Sequence, residues 1–186
     1  RMLMLLNKAA VNVGGIVLNA LAIEHYILRY SSDSELKDEN ETLLRHAYGL
    51  HYPEPNITFA LCRGNWSSPA LRIYTPGNVV NELGRAKVEY LEASVKVTSK
   101  KKIQVPKLLH WNMQDFADNM RSLIEWIYSQ LPPNAALKRS IMDCLKEENK
   151  VAKGKIIEIV PYEYEFRYLL PRYRNCEQKE AANRHV

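Results

Sequence analysis

Glycine and proline are sparse in this chain, 7 and 9 among 186 residues, which excludes collagen-like and low-complexity architectures. Cysteine is sparser. Cys62, Cys144 and Cys176 are an odd number with no close pair, which matches neither a disulfide framework nor a CxxC metal or redox site. A reducing compartment is therefore expected. Sequons occur at Asn40, Asn56 and Asn65, but they matter only in a secreted chain, and the cysteine pattern argues against secretion. The longest apolar candidate, Val11 to Leu28, is broken by Asn12, Gly14, Gly15, Asn19, Glu24 and His25, short of the roughly 20 residues that cross a bilayer. No membrane span is expected. Gly14-Gly15 lacks the further Gly and the Lys-Ser/Thr of a phosphate loop, so no nucleotide site is read there. His46 and His51 are five apart, and His110 and His185 are isolated, so neither a metal site nor any other cofactor is expected.

What is present is the composition of a globular domain, with 46% apolar and 25% charged residues. The net charge of +5 mildly favours anionic partners. It falls far short of the dense basic stripe of a dedicated nucleic-acid binder, so nucleic acid is disfavoured and Lys100, Lys101 and Lys102 are its weak candidate contacts. Short basic runs of this kind, like Arg167, Arg172 and Arg174, read more simply as solvated surface.

Leu3, Leu6 and Ala10 recur at helical spacing, and Asn12 to Gly15 supply residues that stop a helix, so the chain is expected to open helix, stop, helix. The second of these helices, capped by Asn19 and running from Ala20 to Tyr30, is apolar on two stripes and expected to be buried nearly all round. A polar loop from Ser31 to Asn40 precedes a short helix from Glu41 to Tyr48 that ends at Gly49. Ile57 to Cys62 reads as a buried strand leading into a loop over Arg63 to Pro69. Thr75-Pro76 signals a helix start, with Val79, Val80, Leu83, Ala86, Tyr90 and Leu91 as its apolar face. Val95 to Thr98 and Ile103 to Val105 form a hairpin with a basic tip. Phe116 to Leu131 is a helix stopped by Pro132-Pro133, and a further short helix puts Leu137, Ile141, Cys144 and Leu145 in the core. Ile156 to Val160 is a last strand, after which the aromatic, basic stretch from Tyr162 to Tyr173 packs back on the body. The fold class is α+β: one globular domain over residues 1–176, a small mixed or antiparallel sheet with a hairpin covered by several helices, then a disordered tail over 177–186.

Two polar features stand out. Glu24 and His25 interrupt an apolar run, with Arg29 a turn further on, and buried charge needs partners from another segment. The loop from Cys62 combines donors, small residues and a thiol at the end of an apolar run. Glu24, His25, Arg29, Cys62, Arg63, Ser67, Ser68 and Arg72 are accordingly expected to build one polar centre. Cys62 with His25 is the candidate nucleophile and base of a papain- or transglutaminase-like hydrolase or transferase, provided the two come within hydrogen-bond reach. Ser67 and Ser68 lack the turn that presents a serine nucleophile.

The blocks Val13-Gly14-Gly15, Ile23-Glu24-His25-Tyr26-Ile27-Leu28-Arg29, Phe59-Ala60-Leu61-Cys62-Arg63-Gly64, Ser67-Ser68-Pro69-Ala70-Leu71-Arg72 and Val105-Pro106-Lys107-Leu108-Leu109 resemble the plant branch of domain-of-unknown-function family 547. The resemblance runs from about Asn7 to Leu170. It implies an intracellular plant protein, cytoplasmic or nuclear, of a kind often preceded by a leucine-zipper segment described as a ternary-complex-factor type. It brings no settled activity. Family members usually carry an aromatic, Asn-rich segment upstream of the first helix, which this chain starts too late to contain, so it is expected to be N-terminally incomplete. Bacterial relatives place a second Cys where Ser68 stands, which puts a dithiol reaction in doubt for this chain. The leading expectation is a noncatalytic interaction or scaffold domain with protein partners, and the alternative is the thiol enzyme.

Overall fold

The computed structural model describes residues 8–29, 39–148 and 156–167. Lys8 is helical, and the rest of the expected first helix, with Leu3 and Leu6, lies outside the described residues; where a stop and second helix were expected, β1, Ala10–Val13, pairs antiparallel with β2, Ile16–Asn19. Gly14 and Gly15 sit at φ of 60° and 92°, and two successive left-handed residues reverse the chain tightly enough to join strands. The Asn12 side chain accepts from the Gly15 amide at 2.9 Å and holds the turn. Ala10 itself falls in β1, where the β-branched valines that flank the turn favour extended backbone.

Asn19 caps the next segment as its residue type suggests, accepting from the Ala22 amide at 2.7 Å. The helix differs from expectation in form and burial. One turn of α1, Ala20–Ala22, widens into a π-type segment, Ile23–Leu28, in which the Arg29 amide reaches the Glu24 carbonyl at 3.0 Å. Only Ala22 and Glu24 are buried in it, while His25 is exposed. The wider turn departs from the 3.6-residue period on which the two-stripe reading rests.

Helix α2, Glu39–Tyr48, ends at Gly49 as expected, and the Gly49 amide donates to the Arg45 carbonyl at 2.7 Å. The apolar run that follows is not a strand. Pro55–Phe59 is a 3-10 turn begun by Pro55 and capped by the Glu54 carboxylate, which accepts from the Asn56 amide at 2.9 Å. Ile57, Thr58 and Phe59 are all buried because this single turn is driven into the core, where the Phe59 ring lies 5.6 Å from Tyr90 and 5.5 Å from Phe116.

Helix α3, Val79–Ser94, begins after the Thr75-Pro76 signal rather than at it. Thr75 acts as a donor and not as a cap: its amide and hydroxyl both bond the Glu82 carboxylate, at 2.8 and 3.1 Å. Leu83, Ala86, Tyr90 and Leu91 face the core as expected, but Val80 points outward. β3, Lys96–Val97, and β4, Ile103–Pro106, form the expected hairpin, with Lys101 at a φ of 59° in its basic tip. β4 also pairs in parallel with β5, Ile157–Val160, giving a mixed three-stranded sheet with β4 in the middle.

From β4 the chain turns directly into α4, Lys107–Trp111, then a 3-10 turn, Met113–Asp115. Helix α5 spans Met120–Gln130, starting later than the apolar spacing from Phe116 indicates, because Asn119 and Ser122 close a reciprocal capping box. Phe116 stays outside the helix and packs on Trp126 at 4.4 Å. Helix α6, Ala136–Glu148, carries buried Ile141 and Cys144.

The core joins Phe59, Leu91, Ile103, Val105, Leu109, Leu123, Ile124, Ile127 and Ile141, each at most 1% exposed. Burial contributes about 1.5–3 kcal/mol per such side chain before ordering costs. Helices α3, α5 and α6 thus cover the small sheet, and the fold is α+β. Residues 162–167 pack back as expected: Asn65 and Phe166 form an antiparallel bridge, and the Arg167 amide donates to the Gly64 carbonyl at 2.8 Å. Arg172, Arg174, Cys176 and the expected tail from Glu177 lie outside the described residues, as does most of the loop after Tyr30. Among the described residues, no helix is long and apolar enough to cross a membrane.

Candidate functional site

The π-type segment turns Glu24 inward, leaving its side chain 8% exposed, beneath the chain that follows the Pro55–Phe59 turn. There Arg63 Nη2 donates to Glu24 Oε1 at 2.5 Å, across 39 residues of sequence. Arg29 Nε approaches the same oxygen at 3.8 Å. The Arg29 guanidinium also donates to Asp115 and to the Thr58 hydroxyl, both at 3.3 Å. Two cations thus answer one buried carboxylate, and a second carboxylate completes the cluster. Arg45 is drawn in as well, donating to the Arg29 carbonyl at 3.3 Å.

Beside this cluster lies a cavity of about 230 Å³ whose walls include Glu24, His25, Arg29, Arg63, Trp111 and Tyr162. Leu61 and Arg63 both line it, whereas Cys62 between them is not part of its wall. The Cys62 sulfur instead sits 3.8 Å from the Ser68 hydroxyl, which donates to the Pro69 carbonyl at 3.1 Å. No hydrogen bond joins Cys62 to His25 among the described residues. Ser67 is also engaged, its hydroxyl accepting from the Glu163 amide at 2.8 Å and its carbonyl from the Tyr90 hydroxyl at 3.2 Å. Arg72 pairs with Glu89 on α3, away from Glu24. Glu24, Arg29 and Arg63 are therefore brought together with His25 at the cavity, while Cys62, Ser67, Ser68 and Arg72 make contacts of their own.

The loop is fastened from the C-terminal side. Tyr162 donates to the buried Asn65 side chain at 2.7 Å over 97 residues, and Trp66 and Arg167 add a backbone bond and a cation–π contact 5.2 Å from ring centre. Burial pushes the Tyr162 phenol up, with the Asn65 bond acting in the opposite sense. Tyr90 is pushed up more strongly, again by burial. Tyr74 is also raised by burial, with Arg72 opposing, and its buried hydroxyl has no hydrogen-bond partner among the described residues. Among those residues, no group of three His, Cys, Asp or Glu side chains is placed to hold a metal ion. Lys100, Lys101 and Lys102 are exposed at the hairpin tip.

Asp115, Thr58, Asn65, Trp111 and Tyr162 were not legible as site residues. Their roles come from segments far apart in sequence, and no local spacing marks them.

The arrangement can hold charge and orient segments, which defines a class: a small α+β domain organised around a buried ion cluster with an adjoining cavity. Residues 1–91 match the model of the family described as "Protein of unknown function, DUF547", so this segment of the chain is similar to that family. No curated protein and no solved structure matches the chain. The matched segment holds Glu24, Arg29, Cys62, Arg63 and Arg72 but ends before the block Val105 to Leu109, so it is shorter than the resemblance drawn above. Asp115, Trp111 and Tyr162 are added to the site from beyond it.

Proposed function

We propose that this chain is a noncatalytic interaction or scaffold domain of an intracellular plant protein, cytoplasmic or nuclear, in which the ion cluster fixes how the segments meet. The observation that carries the reading is the engagement of the polar groups around the thiol. Ser67 and Ser68 are committed to backbone contacts, and the walls of the cavity beside His25 hold neither cysteine nor serine. Thiol chemistry needs a base within about 2.6–3.2 Å of the proton it takes, and His25 makes no such contact with Cys62. Free thiols at Cys62 and Cys144, together with the plant-type sequence blocks, support the cellular setting.

The test is alkylation by iodoacetamide at neutral pH, resolved by peptide mass for each cysteine. Cys62 is expected to react no faster than an unstructured peptide thiol, with buried Cys144 as the slow internal reference. A Cys62 rate about tenfold or more above that peptide, falling in His25→Ala, would replace this reading with the thiol-dependent hydrolase or transferase.

A further inference from the structure

The cavity of about 230 Å³ bordered by Glu24, His25, Arg63, Asn112 and Trp111 has several polar atoms in its wall that find no partner inside the protein. Glu24 is the first. Both of its arginine contacts fall on Oε1, and Oε2 accepts no hydrogen bond among the described residues. The buried side-chain polar atom without a partner among those residues is the Tyr74 hydroxyl, so Glu24 Oε2 is not sealed in protein and opens on the cavity it borders. Arg63 commits one nitrogen, Nη2, to Glu24, and its other donors have no side-chain partner among the described residues. An acceptor and a donor thus stand side by side. Asn112 donates through Nδ2 to the Leu108 carbonyl at 2.9 Å, while its Oδ1 and the Trp111 indole N–H make no hydrogen bond among the described residues.

The rest of the wall is apolar, made by Leu61, Pro69, Leu108 and the rings of Trp111 and Tyr162. Water alone would answer the polar atoms and leave this surface wet, whereas a flat apolar body would cover it. Charge then decides the class of ligand. Glu24 and Asp115 carry two negative charges and Arg29 and Arg63 two positive ones, so with His25 uncharged the cluster sums to zero. A free anion would compete with Glu24 for Arg63, and a cation with Arg63 for Glu24, each leaving a charge short of its partner. A neutral group that donates and accepts together disturbs neither.

We propose that this cavity binds a small neutral carboxamide carried on a planar apolar ring, its N–H donating to Glu24 Oε2 and its carbonyl accepting from Arg63. The space is below the ~300–1,000 Å³ of sites for drug-sized ligands, so a single ring suits it. The inference goes beyond the interaction-domain reading, because it gives that domain a small-molecule site.

The experiment is a ligand-observed NMR titration of the full chain at about pH 8, where histidine is uncharged, with benzamide, benzoate and benzamidinium. The three probes share a ring and a shape and differ in charge. Benzamide should bind saturably and at least about tenfold more tightly than either of the others. Trp111→Ala, which removes a ring that is 47% exposed, should weaken benzamide about tenfold or more, and Trp111→Phe should restore much of the binding. Glu24→Gln takes one negative charge from the cluster and should move the preference from benzamide toward benzoate by about tenfold. Near-UV circular dichroism of each variant confirms that it is folded, and the two Trp111 variants carry the test should Glu24→Gln not fold. Equal binding of the three probes, a preference of the parent chain for benzoate or benzamidinium, no saturable binding, or indifference to Trp111→Ala overturns the proposal. Absence of benzamide binding with slow Cys62 alkylation defeats only the ligand site, whereas fast alkylation that falls in His25→Ala defeats the interaction reading and leaves the ligand site to the probes.

Discussion

Glu24 is the residue on which the polar centre turns, since Arg29 and Arg63 come from different segments and share its Oε1. Removing a buried partner leaves the opposite charges uncompensated, which costs more than the pair contributes when intact. Glu24→Ala should therefore destabilise the chain by about 2–4 kcal/mol, the lower part of the range reflecting the partial exposure of both arginines. Glu24→Gln, which keeps one acceptor, should cost less. Glu89→Ala breaks an ion pair of similar type, but Arg72 and Glu89 are 28% and 49% exposed, so its effect should stay within about 0.5 kcal/mol. Urea unfolding midpoints decide the matter, and equal shifts for Glu24→Ala and Glu89→Ala would remove the cluster's structural role.

At the scale of elements, the end of α2 is tied to the π-type segment that carries Glu24. The Leu50 amide donates to the Ile27 carbonyl at 3.0 Å, and Gly49 is wedged between the two elements. A methyl at Gly49 would lie 2.5 Å from the Arg45 carbonyl oxygen and 3.1 Å from that of Tyr26. Both are backbone atoms and cannot swing aside. Gly84, within α3, has nothing within 4 Å of the same position. The two glycines should therefore respond with opposite sign. Gly49→Ala should lower stability by about 2 kcal/mol or more, and Gly84→Ala should raise it by up to about 1 kcal/mol through helix propensity. Thermal melts of the two variants against the parent check this, and a stabilising Gly49→Ala would mean that the helix end is packed differently.

At the scale of the whole molecule, the phenols of Tyr90 and Tyr162 tie the Cys62 loop region to its surroundings, and burial raises Tyr74, Tyr90 and Tyr162 above the ordinary 10.0. Each folded phenol keeps its proton after the unfolded chain has begun to lose it. Their contribution to stability is fully present below pH 10 and is lost as pH rises through the folded values. The slope reaches at most about 1.4 kcal/mol per pH unit for each tyrosine. Denaturant unfolding followed between pH 9 and 12 should show this decline. Tyr90→Phe should make it shallower, although it loses the bond to the Ser67 carbonyl at neutral pH. An unchanged slope in Tyr90→Phe would assign the alkaline loss to other groups.

What the amino-acid order determined by itself was whatever depends on near neighbours. The stop at Gly49, the hairpin around Lys100 to Lys102, the break at Pro132-Pro133, the burial of Cys144 and the last strand all follow from local turn chemistry or apolar spacing. Local signals misled where a short run was compatible with several backbones. Ile57 to Cys62 reads as a strand by composition, but Pro55 and Glu54 start a 3-10 turn there, and Phe59 finds aromatic rings rather than a neighbouring strand. The buried charge at Glu24 was legible, as was its need for a partner. Which cation would answer it was decided only by tertiary packing, as was the joining of Asp115, Trp111 and Tyr162 to the same site, because such contacts depend on how distant segments dock and leave no period in the chain.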